Sequence, residues 1–332
     1  MKYLITGAAG FIGFHLAKRL LENNAIVVGI DNLNDYYDIQ LKYKRLHELG
    51  IVESEFEYNK SVQSQKYVNF IFLKIDIADK SILSELFKNN VFDMVLNFAA
   101  QAGIMYSTIN PNAFIHSNIT GFLNVLECCE EHNVTLIYAS SSSVYGNNRK
   151  LPFSETDTIN EPKNLYAKTK IINEYLAKMY SEHFNTRTIG LRLFSIYGTF
   201  GRPDMAYMLF AKAILNSSPI NVYGDGTTKR DYTFIDDLTT AIEKIIAYSF
   251  KSNTKNEIFN IGSSNPISLL ELIKVLENQL GIKAIKKFLP QRHEEIDTTF
   301  ADCSKLEKCI NYKPNTSIDY GIREFLRSSN FL

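Results

Sequence analysis

The chain lacks tryptophan and has few cysteines, four among its 332 residues. They are Cys128, Cys129, Cys303 and Cys309, and none belongs to a Cys-x-x-Cys pair. The six histidines also have no metal-ligand spacing. This pattern predicts reduced thiols in a cytoplasmic protein and no metal site.

The chain also lacks an excess of one charge sign, since Lys+Arg and Asp+Glu both total 36. A balanced chain has no general electrostatic attraction to nucleic acid or an anionic membrane, so we expect neither as a partner. Its apolar runs are too short to span a bilayer. Residues 3–6 have the pattern of a core strand, and we therefore expect no removable leader peptide.

Six short apolar runs, with helical stretches between them, occupy residues 3–6, 26–30, 70–75, 94–97, 136–139 and 188–193. Such alternation is typical of a parallel sheet covered by helices on both faces. We predict a Rossmann-type, doubly wound α/β domain over residues 1–197 plus about 233–262. A smaller mixed α/β lobe is predicted over 198–232 plus about 263–332. The polar insertion at 34–69 carries no evident chemistry.

A glycine-rich turn follows the first apolar run. Its residues are Gly7, Gly10, Phe11, Ile12 and Gly13, and Asp31 closes the second run. Closely spaced glycines let backbone amides approach a pyrophosphate at a helix N-terminus, where the helix dipole favours negative charge. An acid after the second strand accepts hydrogen bonds from ribose hydroxyls and repels a 2′-phosphate. The pattern therefore predicts NAD rather than NADP.

Further candidates lie just beyond the carboxyl ends of the predicted strands, where ligands bind in such sheets. For the cofactor they are Asn32, Asp76, Ile77, Phe98, Ala99, Ala100 and Phe194. Asp76 and Ile77 suit the adenine edge, as an acceptor beside an apolar wall. Ala99 and Ala100 are small enough for a cofactor to lie against the sheet.

Tyr166 and Lys170 are four residues apart and project from one face of a predicted helix. Lowering a tyrosine pKa from about 10 to about 7 needs roughly 4 kcal/mol. One cation at about 5 Å supplies roughly 3 kcal/mol at an effective dielectric of 20. Lys170 and an oxidised nicotinamide ring together would suffice, which predicts Tyr166 as a catalytic base. Ser141, in a serine run at a strand end, is the predicted proton relay, although a turn or a surface helix could use the same residues.

Over essentially its whole length the chain resembles the extended short-chain dehydrogenase/reductases of the NAD-dependent nucleotide-sugar epimerase/dehydratase family. The narrower similarity is to UDP-glucuronate 4-epimerases. Its motifs are DNLNDYYD at 31–38, AAQAG at 99–103, the serines at 140–143, GRPDMA at 201–206 and RDYTFIDD at 230–237. The glycine and Tyr/Lys motifs specify the superfamily, whereas DNLNDYYD and GRPDMA are more selective.

The resemblance implies C4 epimerisation of UDP-glucuronate to UDP-galacturonate through a transient 4-keto sugar, with NAD retained. Related dehydratases place an Asp-Glu pair after the serine that matches Ser141, and related decarboxylases place a glutamate where this chain has Ser143. Here Ser142 and Ser143 stand at those positions and provide no acid for either reaction.

The resemblance also implies a set of substrate contacts. Arg202 and Ser195, with Ser142 and Ser143, would hold the sugar carboxylate, although a salt bridge or a loop cap is the alternative for Arg202 and Ser195. Arg230 and Arg292 match diphosphate-binding arginines. Asn118 and Tyr223 fit nucleoside or hexose contacts, and Glu295 a ribose contact. A purely structural role is the alternative for Arg230, Arg292, Asn118 and Tyr223.

Two departures leave the substrate open. Met105 stands where the family usually has arginine, and Glu294 changes a Gly-Asp-Val motif. The alternatives are a 4-epimerase of another UDP-hexose or UDP-N-acetylated sugar, or a net NAD-dependent nucleotide-sugar oxidoreductase.

The resemblance further implies a homodimer through a four-helix bundle, built from helices near 111–132 and 165–184. Phe122, Leu123, Val125 and Leu126 suit either this bundle or packing on the sheet.

Overall fold

The structure, a computed structural model, describes residues 1–52, 56–159, 161–291 and 297–328. Its strands are β1 (Lys2–Thr6), β2 (Ile26–Asp31), β3 (Ser61–Gln63), β4 (Phe70–Lys74), β5 (Met94–Asn97), β6 (Thr135–Ser141), β7 (Thr188–Leu193), β8 (Ile196–Tyr197), β9 (Ile220–Tyr223), β10 (Lys229–Asp231), β11 (Thr233–Phe234), β12 (Asn256–Ile261), β13 (Pro266–Ser268) and β14 (Lys286–Leu289).

The α-helices are α1 (Phe11–Glu22), α2 (Gln40–Glu48), α3 (Lys80–Lys88), α4 (Tyr106–Ile109), α5 (Pro111–Phe114), α6 (Phe122–Glu131), α7 (Leu165–Phe184), α8 (Ala206–Leu215), α9 (Ile235–Ser249), α10 (Leu269–Leu280), α11 (Ser304–Ile310) and α12 (Ile318–Ser328). A π-helical segment, Ile115–Gly121, joins α5 to α6, and a 3-10 turn, Ser142–Tyr145, follows β6.

The main sheet has eight strands in the order β12-β7-β6-β5-β1-β2-β4-β3. Strand β1 lies between β2 and β5 and is parallel to both, with Thr6 opposite Ile30 on one side and Asn97 on the other. The strand order thus runs in opposite directions from β1, which is the switch point where doubly wound sheets bind ligands. The predicted fold class is confirmed. The antiparallel edge strand β3 lies within the 34–69 insertion and was not expected.

By its internal contacts the chain divides into two compact units: 1–140, 164–191 and 251–258 form the first, and 141–163, 192–250 and 259–332 the second. Strands β6, β7 and β12 end in residues of the second unit. These units differ from the predicted domain bounds, because 141–163, 192–197, 233–250 and 259–262 are counted with the second unit. The predicted domain functions stay predictions.

The core of the first unit lies between the sheet and its helices and includes Leu4, Val28, Ile30, Val95 and Leu136 from the strands. Phe122, Val125 and Leu126 are buried in this core, and Leu123 packs against it. This set therefore packs in the interior of the unit rather than offering a free bundle face.

The second unit is built from two-stranded sheets and helices. Strand β10 pairs antiparallel with β13, and β9 pairs parallel with β14. Helix α10 begins at a capping box, in which Ser268 and Glu271 satisfy each other's backbone N–H groups, and it ends at left-handed Gly281. Within the described ranges, every helix is too short or too polar to cross a membrane.

Candidate nucleotide and active site

The glycine-rich turn lies between β1 and α1. Gly7 has φ +71°, and Gly10 N donates to Gly7 O at 2.8 Å. A Cβ at Gly13 would overlap the Gly7 carbonyl, and one at Gly7 would lie 2.7 Å from Ala99 N. Helix α1 has no side-chain cap and no acid in its first turn, which contains Phe11, Ile12 and Gly13. This arrangement fits a pyrophosphate at the helix N-terminus.

Thr6 joins the ends of β1 and β5. Its hydroxyl donates to Asn97 Oδ1 at 2.5 Å and accepts from Ala99 N at 3.0 Å. The following residues Phe98, Ala99 and Ala100 are partly exposed. Ala99 therefore lies next to the glycine turn. That a cofactor lies against Ala99 and Ala100 stays a prediction.

Asp31 ends β2 with a carboxylate that is only 7% exposed. Its Oδ2 accepts from Ala9 N at 3.2 Å and its Oδ1 from Leu33 N at 2.8 Å. These bonds tie the predicted ribose-binding acid directly to the glycine turn.

Two buried cations from α2 reach the same place and were missed by the sequence reasoning. Lys42 Nζ lies 3.3 Å from Asp31 Oδ1 and 2.9 Å from Asn34 Oδ1. Arg45 Nη1 donates to Ala9 O at 2.9 Å. The insertion predicted to carry no chemistry thus supports the cofactor turn. The sequence signal that could have revealed these two cations is their helical spacing. Lys42 and Arg45 lie on the same face of α2 as buried Leu46.

Asp76 and Ile77 follow β4. Asp76 Oδ2 accepts from Asn32 Nδ2 at 2.9 Å and lies 3.3 Å from His116 Nε2. Ile77 is 5% exposed and packs against Gly121 of the π-helical segment, where any Cβ would clash with it. Asn32 and Asp76 are thus hydrogen-bonded to each other beyond the ends of the neighbouring strands β2 and β4.

Tyr166 and Lys170 lie in the first turns of α7, which Asn164 caps by accepting from Ala167 N at 2.9 Å. Lys170 Nζ lies 5.9 Å from the centre of the Tyr166 ring and donates to Ala139 O at 2.9 Å. Burial lowers the pKa of the Lys170 ammonium to about 8, although the Glu174 carboxylate raises it. The predicted pair is therefore a phenol beside a buried cation whose pKa is lowered from its ordinary value.

Asn118 lies in the π-helical segment and is 1% exposed. Its Oδ1 accepts from Gln101 N at 2.7 Å, and its Nδ2 donates to Gln101 O and Thr169 Oγ1, each at 3.0 Å. Both amide N–H groups are engaged inside the first unit, which favours the structural alternative over the predicted substrate contact.

The remaining described candidates belong to the second unit. Ser141 begins the 3-10 turn, and its Oγ accepts from Ser143 N at 3.2 Å. Ser141 and Ser142 are buried, whereas Ser143 is partly exposed. Phe194 is buried and donates its N–H to Ile261 O at 3.1 Å. Ser195 O accepts from Thr233 N at 3.0 Å.

Arg202 is paired with its own neighbour. Its Nε and Nη2 donate to the two oxygens of Asp204 at 2.9 and 2.8 Å. Arg230 Nη1 donates to Lys229 O at 3.0 Å, and Tyr223 ends β9 partly exposed. Arg292, Glu294 and Glu295 lie outside the described residues. Met105 is 44% exposed at the start of α4.

The doubly wound sheet and its glycine turn define a dinucleotide-binding α/β protein. Residues 3–262 match the model of the NAD dependent epimerase/dehydratase family. The chain belongs to this family. The predicted cofactor, NAD, is thereby confirmed.

Named relatives are similar over nearly the whole chain. Protein CapI of Staphylococcus aureus is 40% identical and covers 98% of this chain and 97% of its own length. UDP-glucuronate 4-epimerase 4 of Arabidopsis thaliana is 37% identical over 98% of this chain and 74% of that protein. The crystal structure of UDP-glucuronic acid 4-epimerase from Bacillus cereus, in complex with UDP-glucuronic acid and NAD, is 32% identical with a TM-score of 0.87, covering 100% of this chain and 99% of that one.

Proposed function

We propose that this protein is an NAD-dependent 4-epimerase that interconverts UDP-glucuronate and UDP-galacturonate through a transient 4-keto sugar. The carrying observation is the Tyr166–Lys170 pair, with Lys170 Nζ 5.9 Å from the phenol ring. The choice of substrate is supported by the Arabidopsis and Bacillus relatives, which are named as epimerases of UDP-glucuronate.

Bound NAD⁺ would supply a reversible hydride acceptor, taking a hydrogen with two electrons from C4 of the sugar and giving them back to the same carbon. The glycine turn would hold its pyrophosphate, and Asp31, with Asn32, the adenosine ribose. Asp76 and Ile77 would flank the adenine, and Phe98, Ala99, Ala100 and Phe194 would line the dinucleotide. Lys170 can in addition hydrogen-bond the nicotinamide ribose.

Tyr166 in its deprotonated form would take the proton of the sugar 4-hydroxyl, while Lys170 stabilises the phenolate by its charge. Ser141 would relay the proton between the sugar oxygen and Tyr166. After the keto sugar turns its other face, the same phenol returns the proton to the 4-oxygen. No net oxidation results.

The sugar carboxylate needs firm binding, because a ketone β to a carboxylate loses CO₂ when the breaking bond aligns with the carbonyl π system. Arg202 and Ser195, with the hydroxyls of Ser142 and Ser143, are the proposed partners. Arg230 and Arg292 would bind the diphosphate. Tyr223 and Glu295 complete the proposed contacts with the nucleoside and hexose.

The proposal includes a homodimer in the cytoplasm. Helix α7 exposes Ile172, Tyr175 and Met179, spaced three and four residues apart on one face. Such an apolar face suits a bundle with the same helix of a second copy. The four cysteines carry free thiols, which suits a reducing compartment.

The direct test is to incubate purified protein with UDP-glucuronate and follow the sugar signals by NMR. We expect UDP-galacturonate to accumulate to a constant ratio without growth of absorbance at 340 nm. Tyr166→Phe should abolish turnover while NAD remains bound. No product would refute the proposal, and NADH accumulation would indicate a net oxidoreductase.

Met105, which stands where the family usually has arginine, favours one second candidate, a 4-epimerase of a UDP-hexose without a carboxylate. A comparison of kcat/KM for UDP-glucuronate, UDP-glucose and UDP-N-acetylglucosamine separates the two. Indifference to the C6 carboxylate would support the second candidate.

A further inference from the structure

Glu174 is a buried carboxylate one helical turn after Lys170 on α7. Its side chain is 6% exposed, and one oxygen accepts from Ser140 Oγ at 2.6 Å. Glutamate is almost never buried without a partner or a task. The proposed reaction assigns it none, although it stands four residues after the lysine on which the phenol depends.

Strand β6 holds both charged groups through consecutive residues. Ala139 O accepts from Lys170 Nζ at 2.9 Å, and the Ser140 hydroxyl binds Glu174. The ammonium and the carboxylate are therefore each held by β6, through neighbouring residues of that strand.

The surroundings of Lys170 make this carboxylate important. Lys170 is 4% exposed, so its charge is poorly solvated. On α7, Tyr166 and Glu174 each stand four residues from Lys170, one before it and one after it, whereas β6 contributes the uncharged Ala139 and Ser140. The negative charge of Glu174 raises the pKa of Lys170 and so opposes the lowering that burial causes.

We propose that Glu174 is a positioning residue of the active site, anchored by Ser140, which keeps Lys170 protonated and aimed at its working position. The inference rests on the proposed function in that Tyr166 needs this cation. It adds Glu174 to the Tyr166–Lys170 pair as a third ionisable residue, which does not itself contact the substrate.

The test separates the charge from the anchor. Glu174→Gln keeps the size and an acceptor for Ser140 but removes the charge, and it should lower the Lys170 pKa by about one unit or more. Ser140→Ala keeps the charge and frees it to move, so it should give a smaller shift in the same direction. Glu182→Gln, an exposed glutamate on the same helix, is the matched control and should change nothing.

Two measurements distinguish a failure of the Glu174 proposal from a failure of the proposed epimerase function. NMR titration of protein labelled with ¹³C at lysine Cε reports the Lys170 pKa directly, with Lys170→Arg identifying the signal. The alkaline limb of the pH profile of kcat/KM for UDP-glucuronate should shift to lower pH together with the Lys170 pKa. If wild type does not turn over this sugar, the proposed function fails while the NMR shift still decides the role of Glu174.

An unchanged Lys170 titration in Glu174→Gln overturns the proposal. If that variant does not fold by circular dichroism, Ser140→Ala decides, and an unchanged titration there overturns it equally.

Discussion

Lys42 Nζ lies 3.3 Å from Asp31 Oδ1, with both side chains less than a tenth exposed. The contact joins helix α2 to the carboxylate that follows β2 and, through Ala9 N, to the glycine turn. An ion pair this deeply buried is costly to break from one side, because the remaining charge then has no partner.

Replacing Lys42 by methionine should therefore lower the free energy of unfolding by about 3–5 kcal/mol. Urea unfolding followed by circular dichroism measures the change. Lys44→Met, on the exposed side of the same helix, is the control and should lie within about 0.5 kcal/mol of wild type. Equal effects of the two substitutions would show that the pair contributes nothing beyond surface charge.

The positions of the candidate nucleotide-binding residues in the fold were largely predictable because their sequence signals are local. Gly7, Gly10 and Gly13 follow one strand, and Asp31 ends the next, so a few residues of sequence contain the pattern. The parallel sheet likewise follows from continuous apolar runs such as 70–75 and 188–193.

Residues that act through side-chain partners elsewhere in the chain were not predictable in the same way. Lys42 and Arg45 lie in a polar helix and look like solvated cations until β1 and β2 are placed beside them. Glu174 is indistinguishable in sequence from exposed Glu182 on the same helix. For Arg202 the partner, Asp204, was two residues away and could have been anticipated.

The pH dependence of the reaction should follow Lys170. With the pKa of its ammonium near 8, kcat/KM should fall above about pH 8 as the charge beside Tyr166 is lost. Lys170→Arg, which stays protonated, should remove this alkaline limb, even if its overall rate is lower. A wild-type profile flat to pH 10 would contradict the assignment.

Stability should change with pH in the opposite sense. The Lys170 pKa is about 8 in the folded chain against 10.5 ordinarily, so the folded state holds this proton less tightly. Below pH 8 the folded chain bears the full free-energy cost of the buried ammonium. As pH rises from 8 toward 10.5 the folded state loses this proton while the unfolded state keeps it, so the free energy of unfolding rises. Between these limits wild type should gain up to about 3 kcal/mol relative to Lys170→Met, measured by urea unfolding. A fall in the free energy of unfolding of wild type relative to Lys170→Met over that range would contradict a lowered Lys170 pKa.

Arg202 should distinguish acidic from neutral sugars. A charge-assisted bond to the sugar carboxylate contributes about 1.5–3 kcal/mol, so Arg202→Met should lower kcat/KM for UDP-glucuronate roughly 10- to 150-fold. UDP-glucose, which lacks the carboxylate, should be little affected.

The pairing of Arg202 with Asp204 adds a second arm to that experiment. Asp204→Asn removes the carboxylate that competes for the guanidinium and should lower KM for UDP-glucuronate. Equal losses for both sugars in Arg202→Met would assign Arg202 to loop structure alone.

The exposed face of α7 makes the assembly testable. Tyr175 is 68% exposed and lies between Ile172 and Met179, each at least 40% exposed, on a helix whose opposite face is buried in the core. Water contact with three large apolar side chains is unfavourable, and pairing α7 across a two-fold axis would remove it. Tyr175→Arg would place two like charges in that seam, so we expect sedimentation near the chain mass of 37.9 kDa, with wild type near twice that value. Lys88→Glu, at an exposed position at the end of α3, is the control and should leave the dimer intact. A monomeric wild type, or a dimer that persists in Tyr175→Arg, would show that α7 does not form the interface.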